Sequence, residues 1–367
     1  MIDIANALSG AGFQVSLITG RLVQRTTQLS HLIKQERIIK YRRSNSIVRL
    51  VSWFVALFQI LFLIWFKYSG SHLFIVSNPP LAPLIPLACK NSYSLLIFDV
   101  YVEKPEEFPL LNPRSLVVKL WKKAHSKVFA GADNIFTLTE GMQDTIEKYL
   151  GGRKCEVIPL WTDNDFLKPM PPSNNRFITE KNLQNKFIVL YSGNIGVSSG
   201  VEYLIDAASI IDNEQIVFVI IGDGIRKKAI INKVKKLGLT NCLILPWQEP
   251  QILPYSLASA NLAVVGLSSK SSKRAIPSKL YNYLSVGAPI LCLANPDSDL
   301  GKFVFREEIG KCFNPSEVNE IVDYILQIYS NPTEAERLGI NSLNASKIFT
   351  KNNVNKYLLA ITKTINC

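Results

Sequence analysis

From residue 187 onward the sequence alternates short, continuously apolar runs with helix-patterned segments, and this alternation restricts the fold more than any other feature. Strands are predicted at 187–192, 216–221, 242–246, 261–265 and 289–293, separated by helices at 200–212, 225–237, 250–258 and 277–286. A run with no polar face must be covered on both sides, so the pattern predicts a parallel sheet with helices on each face. Further helices are expected at 316–330, 333–347 and 350–365.

Two loops in this half carry chemistry. In Pro277-Ser278-Lys279-Leu280-Tyr281-Asn282-Tyr283-Leu284-Ser285-Val286-Gly287, Pro277 suits a first helical turn, where its missing N–H would have no partner. Leu280, Tyr283, Leu284 and Val286 form an apolar stripe, and Gly287 ends the helix. Ser278 and Lys279 then fall at a helix N-terminus, beside a basic loop from Lys270 to Arg274. Free N–H groups, the positive helix end and an ammonium converge there, as a diphosphate requires. The plainer reading is an ordinary helix–turn–strand unit. The second loop, Tyr191-Ser192-Gly193-Asn194-Ile195-Gly196, follows a strand and precedes a helix opened by Gly200. Its spacing departs from the dinucleotide G-x-G-x-x-G, but a glycine loop between strand and helix can still cradle a phosphate. Gly222-Asp223-Gly224 follows the next strand, and Arg226, Lys227 and Lys228 open the next helix, either as phosphate contacts or as a solvated face.

The first half is less regular. A helical pattern over residues 1–11 precedes the strand 13–18, whereas a doubly wound domain opens with a strand and a glycine-rich turn. The expectation is an N-terminal domain whose first strand is missing. Leu50 to Phe66 are 17 residues without a charge, at the lower limit for a membrane span. A span would separate strands 13–18 and 73–77, which are expected in one sheet. A buried core helix is the other alternative. Trp53 and Trp65 near the ends, with Arg37, Lys40, Arg42 and Arg43 upstream, favour a helix packed partly on the domain and partly in the lipid interface. The strand 95–98 leads into Asp99, a carboxylate at the tip where parallel sheets bind ligands, or else a capping or hinge residue. Glu103, Glu106 and Glu107 follow on a loop. A basic amphipathic helix is expected at 113–131, as a solvated face or a second membrane contact. Asp163-Asn164-Asp165 superficially matches a metal-binding D-x-D but reads as a turn. Pro169 to Asn175 marks a boundary. The expected organisation is an N-terminal domain at 1–168, a linker at 169–185, a second domain at 186–347 and a C-terminal helix at 348–367.

A chain of 367 residues accommodates two such domains. The net charge of +12, from 41 Lys+Arg against 29 Asp+Glu, favours anionic partners. No nucleic-acid-binding signature accompanies it, so nucleotide phosphates and acidic lipids are preferred over nucleic acid. The six cysteines form no C-x-x-C and the three histidines have no zinc-ligand spacing, so neither a metal site nor a disulfide framework is expected. No signal peptide is recognised at the start.

In order along the chain, Tyr-Ser-Gly-Asn-Ile-Gly (191–196), Gly-Asp-Gly (222–224), Leu-Pro-Trp-Gln (245–248) and the segment from Pro277 to Pro289 resemble family 4 glycosyltransferases of the GT-B fold, two Rossmann-like domains facing across a cleft. Ser-Asn-Pro-Pro-Leu (77–81), Leu-Thr-Glu-Gly-Met (138–142) and Ile-Pro-Leu-Trp-Thr-Asp (158–163) are similar to a bacterial subgroup that assembles O-antigen, capsule and exopolysaccharide. The likeness covers nearly the whole chain.

The resemblance implies a retaining, metal-independent transferase that takes a UDP- or GDP-linked sugar as co-substrate, with no other cofactor. The acceptor would be a polyprenyl-diphosphate-linked saccharide, and the enzyme would sit peripherally on the cytoplasmic face of an anionic membrane. Gly193, Asn194 and Gly196 would border the diphosphate, with Gly222 and Arg226 beside them. Ser278 and Lys279 would bind it, Pro246, Trp247 and Gln248 would flank the base, and Asn282 would reach the ribose. Lys279 and Asp99 are the candidate catalytic residues. The sequence also departs from the family. Arg274 and Asn282 stand where many members carry a glutamate pair, Asn194 and Ser199 where many carry Arg and Lys, and Val102 where an aspartate is common. A non-catalytic, degenerate transferase that scaffolds a membrane assembly is the alternative. A nucleotide-sugar epimerase is a weaker one, since no carboxylates can be placed for it.

Overall fold

A computed structural model describes all residues except 23–26, 41–45, 104–111, 113, 198, 268–275 and 366–367. The chain forms two compact units, Met1–Pro159 with Asn352–Cys367, and Leu160–Lys351. The first unit runs through α1 (Ile2–Gly10), β1 (Ser16–Thr19), β2 (Lys34–Arg37), α2 (Ser46–Lys67), β3 (Leu73–Val76), β4 (Tyr93–Ile97), α3 (Leu116–Gly131), β5 (Asn134–Thr137), α4 (Glu140–Ile146) and β6 (Glu156–Val157). The second contains α5 (Arg176–Glu180), β7 (Phe187–Ser192), α6 (Val201–Ile210), β8 (Ile216–Ile221), α7 (Lys227–Lys236), β9 (Cys242–Leu245), α8 (Leu253–Ala258), β10 (Leu262–Gly266), α9 (Lys279–Ser285), β11 (Ile290–Leu293), α10 (Asp299–Arg306), β12 (Gly310–Phe313), α11 (Val318–Ser330) and α12 (Pro332–Ser346). α13 (Val354–Ile365) returns to the first unit.

The second unit is a six-stranded parallel sheet in the order β12-β11-β10-β7-β8-β9. The strand order reverses between β10 and β7, which is the topological switch point of a doubly wound sheet, where the carboxyl ends of the strands leave a crevice. Successive strand residues face opposite sides, so each apolar strand feeds two cores. Ile188, Leu190, Val219 and Val265 pack under α9 and α10 with Leu280, Tyr283, Leu300 and Phe303. Val189, Tyr191, Phe218 and Val264 pack under α6 and α11 with Leu204, Ile205, Ile321 and Ile325.

The strand–helix alternation expected here is present, and α10 and β12 extend it beyond the predicted elements. β12, Gly-Lys-Cys-Phe, is an edge strand with no fully buried residue, so its apolar signal is weak. The expected linker contains α5, whose Phe177 and Ile178 are buried in the second core. Leu160, Phe166 and Leu167 pack on that same core, so the second unit begins at Leu160, before the Pro-rich stretch at 169–175.

The first unit holds a four-stranded parallel sheet, β3-β4-β5-β6, and a separate parallel pair, β1-β2. Contrary to expectation, the strand near 13–18 and the one near 73–77 therefore lie in different sheets among the described residues. Its partner β2, Lys-Gln-Glu-Arg, escapes an apolar pattern because only Glu36 is partly buried. Glu36 accepts from Lys67 Nζ at 2.5 Å and from Tyr68 Oη at 2.8 Å, which ties β2 to the end of α2. Residues on both sides of α2 thus belong to one unit. The C-terminal segment is also part of it. The Tyr357 ring lies 4.9 Å from that of Phe136 and 6.1 Å from that of Phe74, and Asn134 Nδ2 donates to Thr364 Oγ1 at 2.8 Å.

α2 is two-faced. Trp53, Ala56, Leu61 and Ile64 are buried, while Phe54, Phe58, Phe62, Trp65 and Phe66 are exposed. Its window Leu50–Lys67 is long and apolar enough to cross a membrane by length and composition, with a mean hydropathy of 2.0, and 28% of it is buried in the protein. The core-helix alternative fails on that burial. Trp65 Nε1 donates to Ala88 O at 2.8 Å, fastening α2 to the short helical segment Ala82–Ala88.

Candidate functional site

The loops after β7, β8 and β9 and the start of α9 all lie at the carboxyl ends of the second sheet's strands. Gly193 N–H donates to Ile221 O at 2.9 Å and Ile195 N–H to Asp223 O at 2.8 Å, so the first glycine loop is laced to the second. Arg226 N–H donates in turn to Ile195 O at 3.1 Å. Gly222 has φ +147°, and a Cβ there would run into the carbonyl of Gly193. Only glycine allows this approach.

Lys279 meets the same turn from α9. A Cβ built on Gly193 would stand 2.6 Å from Lys279 Nζ, so the amine occupies the space above that glycine. The amine also lies 3.8 Å from the centre of the Tyr191 ring. Burial pulls its pKa down to about 7. The Tyr191 ring is fully buried, and its hydroxyl donates to Asn194 O at 2.7 Å. Ser192 N–H donates to Tyr283 Oη at 2.6 Å, which fixes α9 against the end of β7.

This geometry refines the expected site. The N–H of Gly193 is committed to the sheet, whereas among the described residues no acceptor takes the N–H of Asn194 or Gly196. These two N–H groups stay open among the described residues. α9 has seven residues, fewer than expected, and Ser278 is exposed without a side-chain capping bond. The helix end is short, and the cation at this turn is Lys279. The side-chain oxygen of Asn282, Oδ1, is already engaged, accepting from Thr162 Oγ1 at 2.7 Å. The basic loop from Lys270 to Arg274 lies outside the described residues.

Pro246 and Trp247 are exposed just past β9, and Gln248 Nε2 donates to Pro246 O at 2.9 Å. Arg226 is exposed, and so is its neighbour Ile225, at 82%. Asp99 belongs to the other unit. Its N–H and that of Phe98 donate to Ser77 Oγ at 3.1 and 2.9 Å, and Tyr101 Oη approaches its carboxylate at 3.4 Å. Glu103 is held by Lys148 Nζ at 2.9 Å, Lys122 Nζ at 3.3 Å and the Tyr149 hydroxyl. Glu106 and Glu107 lie outside the described residues. Asp163 makes the expected turn. Its Oδ1 accepts from Phe166 N–H at 3.1 Å and its Oδ2 from Lys351 Nζ at 2.7 Å.

Sequence reasoning did not single out Tyr191, Tyr283 or Thr162. The two tyrosines read as strand and helix core, and core is where both rings lie. Thr162 is 120 residues from Asn282, and nothing local signals that pairing.

Comparison with known proteins places this geometry. Residues 173–344 match the family model of Glycosyl transferases group 1. The chain is 25% identical over 267 residues to a probable glycosyltransferase, WbjE, of Pseudomonas aeruginosa, covering 69% of this chain and 65% of that protein. It is 29% identical over 199 residues to WcaI of Escherichia coli K12, a putative colanic acid biosynthesis glycosyl transferase, covering 53% of this chain and 49% of that one. The chain thus spans from about half to just under two thirds of the length of these curated relatives. Among solved structures, a sucrose-phosphate synthase from Thermosynechococcus elongatus superposes with a TM-score of 0.74 at 17% identity, over 99% of this chain and 91% of that one. HepE of Anabaena, solved with UDP and glucose, gives 0.70 at 16% identity over 100% and 94%. The chain therefore has the two-Rossmann GT-B fold, and residues 173–344, which make up most of its second unit, match the glycosyltransferase group 1 model.

Proposed function

We propose that the chain is a glycosyltransferase that moves a sugar from a UDP- or GDP-linked donor to a lipid-linked saccharide during surface polysaccharide biosynthesis. The observation that carries this reading is Lys279 Nζ above the Gly193 turn at the sheet's switch point. As the bond from sugar to diphosphate breaks, negative charge grows on the leaving group. A prepositioned lysine, charged once the diphosphate is bound, and two N–H donors stabilise that charge more than they stabilise the bound ground state. The donor would bind unit 2, with Asn194, Gly196 and Lys279 on the diphosphate, Gly222 and Arg226 beside it, and Trp247 near the base. The names of WbjE and WcaI, and the UDP and glucose bound to HepE, support this assignment.

In this reading transfer retains the anomeric configuration and needs no metal, as in the family the motifs resemble. Unit 1 takes the acceptor, with Asp99 as the candidate acid–base group. The exposed aromatic face of α2, together with Lys119, Lys123 and Lys127 on α3, supports peripheral docking on the anionic cytoplasmic face of the membrane. Titration calorimetry with UDP and GDP tests the donor site. Lys279→Ala should weaken binding about tenfold to a hundredfold, and unchanged affinity would reject the role of Lys279. Transfer to a polyprenyl-diphosphate-linked acceptor, with the product anomer read by NMR, tests the reaction and separates it from a scaffolding role.

A further inference from the structure

The amine of Lys279 is held in an unusual setting for a group meant to meet a diphosphate. No carboxylate among the described residues pairs with it, and burial alone accounts for its perturbation. What holds it is an aromatic face, with the Tyr191 ring centre at 3.8 Å. That ring is locked by full burial and by its hydroxyl bond to Asn194 O, a residue of the same glycine loop. Among the described residues, few titratable groups are linked to this ring and turn. Tyr283 on α9 bonds Ser192 N–H, Glu202 on α6 acts electrostatically on Tyr191, and Asp223 past β8 is exposed and accepts from Gly224 N–H at 2.8 Å. Tyr191 and Tyr283 are buried with pKa values driven upward, so both phenols stay neutral near physiological pH.

We propose that Tyr191 is a positioning residue that aims the Lys279 amine at the Gly193 turn, and that a nucleoside diphosphate binding there draws a proton from solvent onto that amine. The proposal rests on the donor-site reading above and adds to it a specific acid–base linkage. The proton comes from water or buffer and ends on Nζ, and no heavy-atom bond changes. In the empty protein the amine is mostly neutral above pH 7. A diphosphate beside it favours the charged form, so binding and protonation are coupled. Uptake should approach one proton per site near pH 8 and shrink toward pH 6, where the amine is already charged. Affinity should fall by up to about tenfold per pH unit above 7. The ring also favours the charged form, so removing it should shift the midpoint of uptake to lower pH.

The test is calorimetry of UDP and GDP binding to the full chain, in buffers of different ionisation enthalpy, from pH 6 to 8.5. Wild type should take up protons as described. Lys279→Arg, charged throughout, should bind with no uptake and no pH slope from this site. Tyr191→Phe keeps the ring but loses the hydroxyl bond to Asn194 O, so its midpoint should stay at the wild-type pH even if binding weakens, whereas Tyr191→Leu should bind more weakly and shift the midpoint downward. Binding by wild type without proton uptake would overturn this proposal and leave the donor site standing. A midpoint unmoved or raised in a folded Tyr191→Leu protein would overturn the role of Tyr191. Failure of either nucleotide to bind wild type would remove the donor-site reading itself.

Discussion

Thr162 Oγ1 donates a 2.7 Å hydrogen bond to Asn282 Oδ1, so a residue before the second unit's first helix sets the orientation of a side chain on α9. In that orientation Asn282 offers its amide N–H groups, since its carbonyl oxygen is taken. A glutamate at this position would present acceptors only. In the donor-site proposal, Asn282 would therefore meet a ribose as a hydrogen-bond donor.

Thr162→Val keeps the shape and removes the hydroxyl. The part-buried Asn282 oxygen loses its partner, and the loss should lower stability by about 1 kcal/mol. Asn282 should also lose its fixed rotamer, which would weaken UDP binding several-fold. Chemical denaturation and calorimetry check the two effects, and an unchanged affinity alongside reduced stability would limit the pair to a structural role.

Gly222→Ala should be among the most damaging single substitutions in the second unit. Its φ of +147° disfavours any side chain, and the added methyl would collide with the Gly193 carbonyl rather than with a movable side chain. The expected loss is about 2–4 kcal/mol, with nucleotide binding abolished because the two glycine loops can no longer lie together. Thermal melting and calorimetry read both.

Lys279→Met should raise the melting temperature, most strongly at acidic pH. The folded pKa of about 7 lies below the unfolded value near 10.5. Below pH 7 both states bind the proton, and the full penalty of holding a buried ammonium is present. Between pH 7 and about 10.5 the unfolded state binds more protons, so wild-type stability rises with pH. The advantage of methionine should therefore be largest at pH 6 and decline steadily toward pH 10. Melting curves across that range check the sign, and a pH-independent difference would contradict it.

On α2, the two faces should respond differently. Replacing the exposed Phe54, Phe58 and Phe62 with serine should leave the melting temperature nearly unchanged and release the protein from vesicles containing anionic lipid. Replacing the buried Ile64 with alanine should cost about 2–4 kcal/mol. Flotation and thermal melting separate the faces. If the triple variant floats with the vesicles as wild type does, α2 is not the docking surface.

Tyr357→Ala should destabilise the first unit although the residue lies near the end of the chain. Its fully buried ring packs on Phe136 and Phe74, and truncation should cost about 3–5 kcal/mol. Limited proteolysis should then cut within residues 1–159 before it cuts the second unit.

The architecture of the second unit is written locally. β7, β8, β10 and β11, inside the sheet, are almost wholly apolar, because each must feed a core on both faces, and glycine loops punctuate them. That pattern was enough to locate the parallel sheet, the glycine loops and the lysine at the start of α9. Elements without a core-facing signature were not legible: β2, whose side chains are mostly exposed, and β12, on a sheet edge. The domain boundary was also misplaced, because Pro169 to Asn175 looks like a linker while Leu160, Phe166 and Leu167 already pack on the second core.

By itself, then, the sequence determined where chain segments run as strand or helix and which loops carry glycine and charge, since those follow from local propensity and periodicity. Only the tertiary structure decided what faces Lys279, that Asn282 is engaged by Thr162, and that α13 completes the first unit. These pairings join residues far apart along the chain. Close packing creates them, and no local pattern encodes a contact between such distant segments.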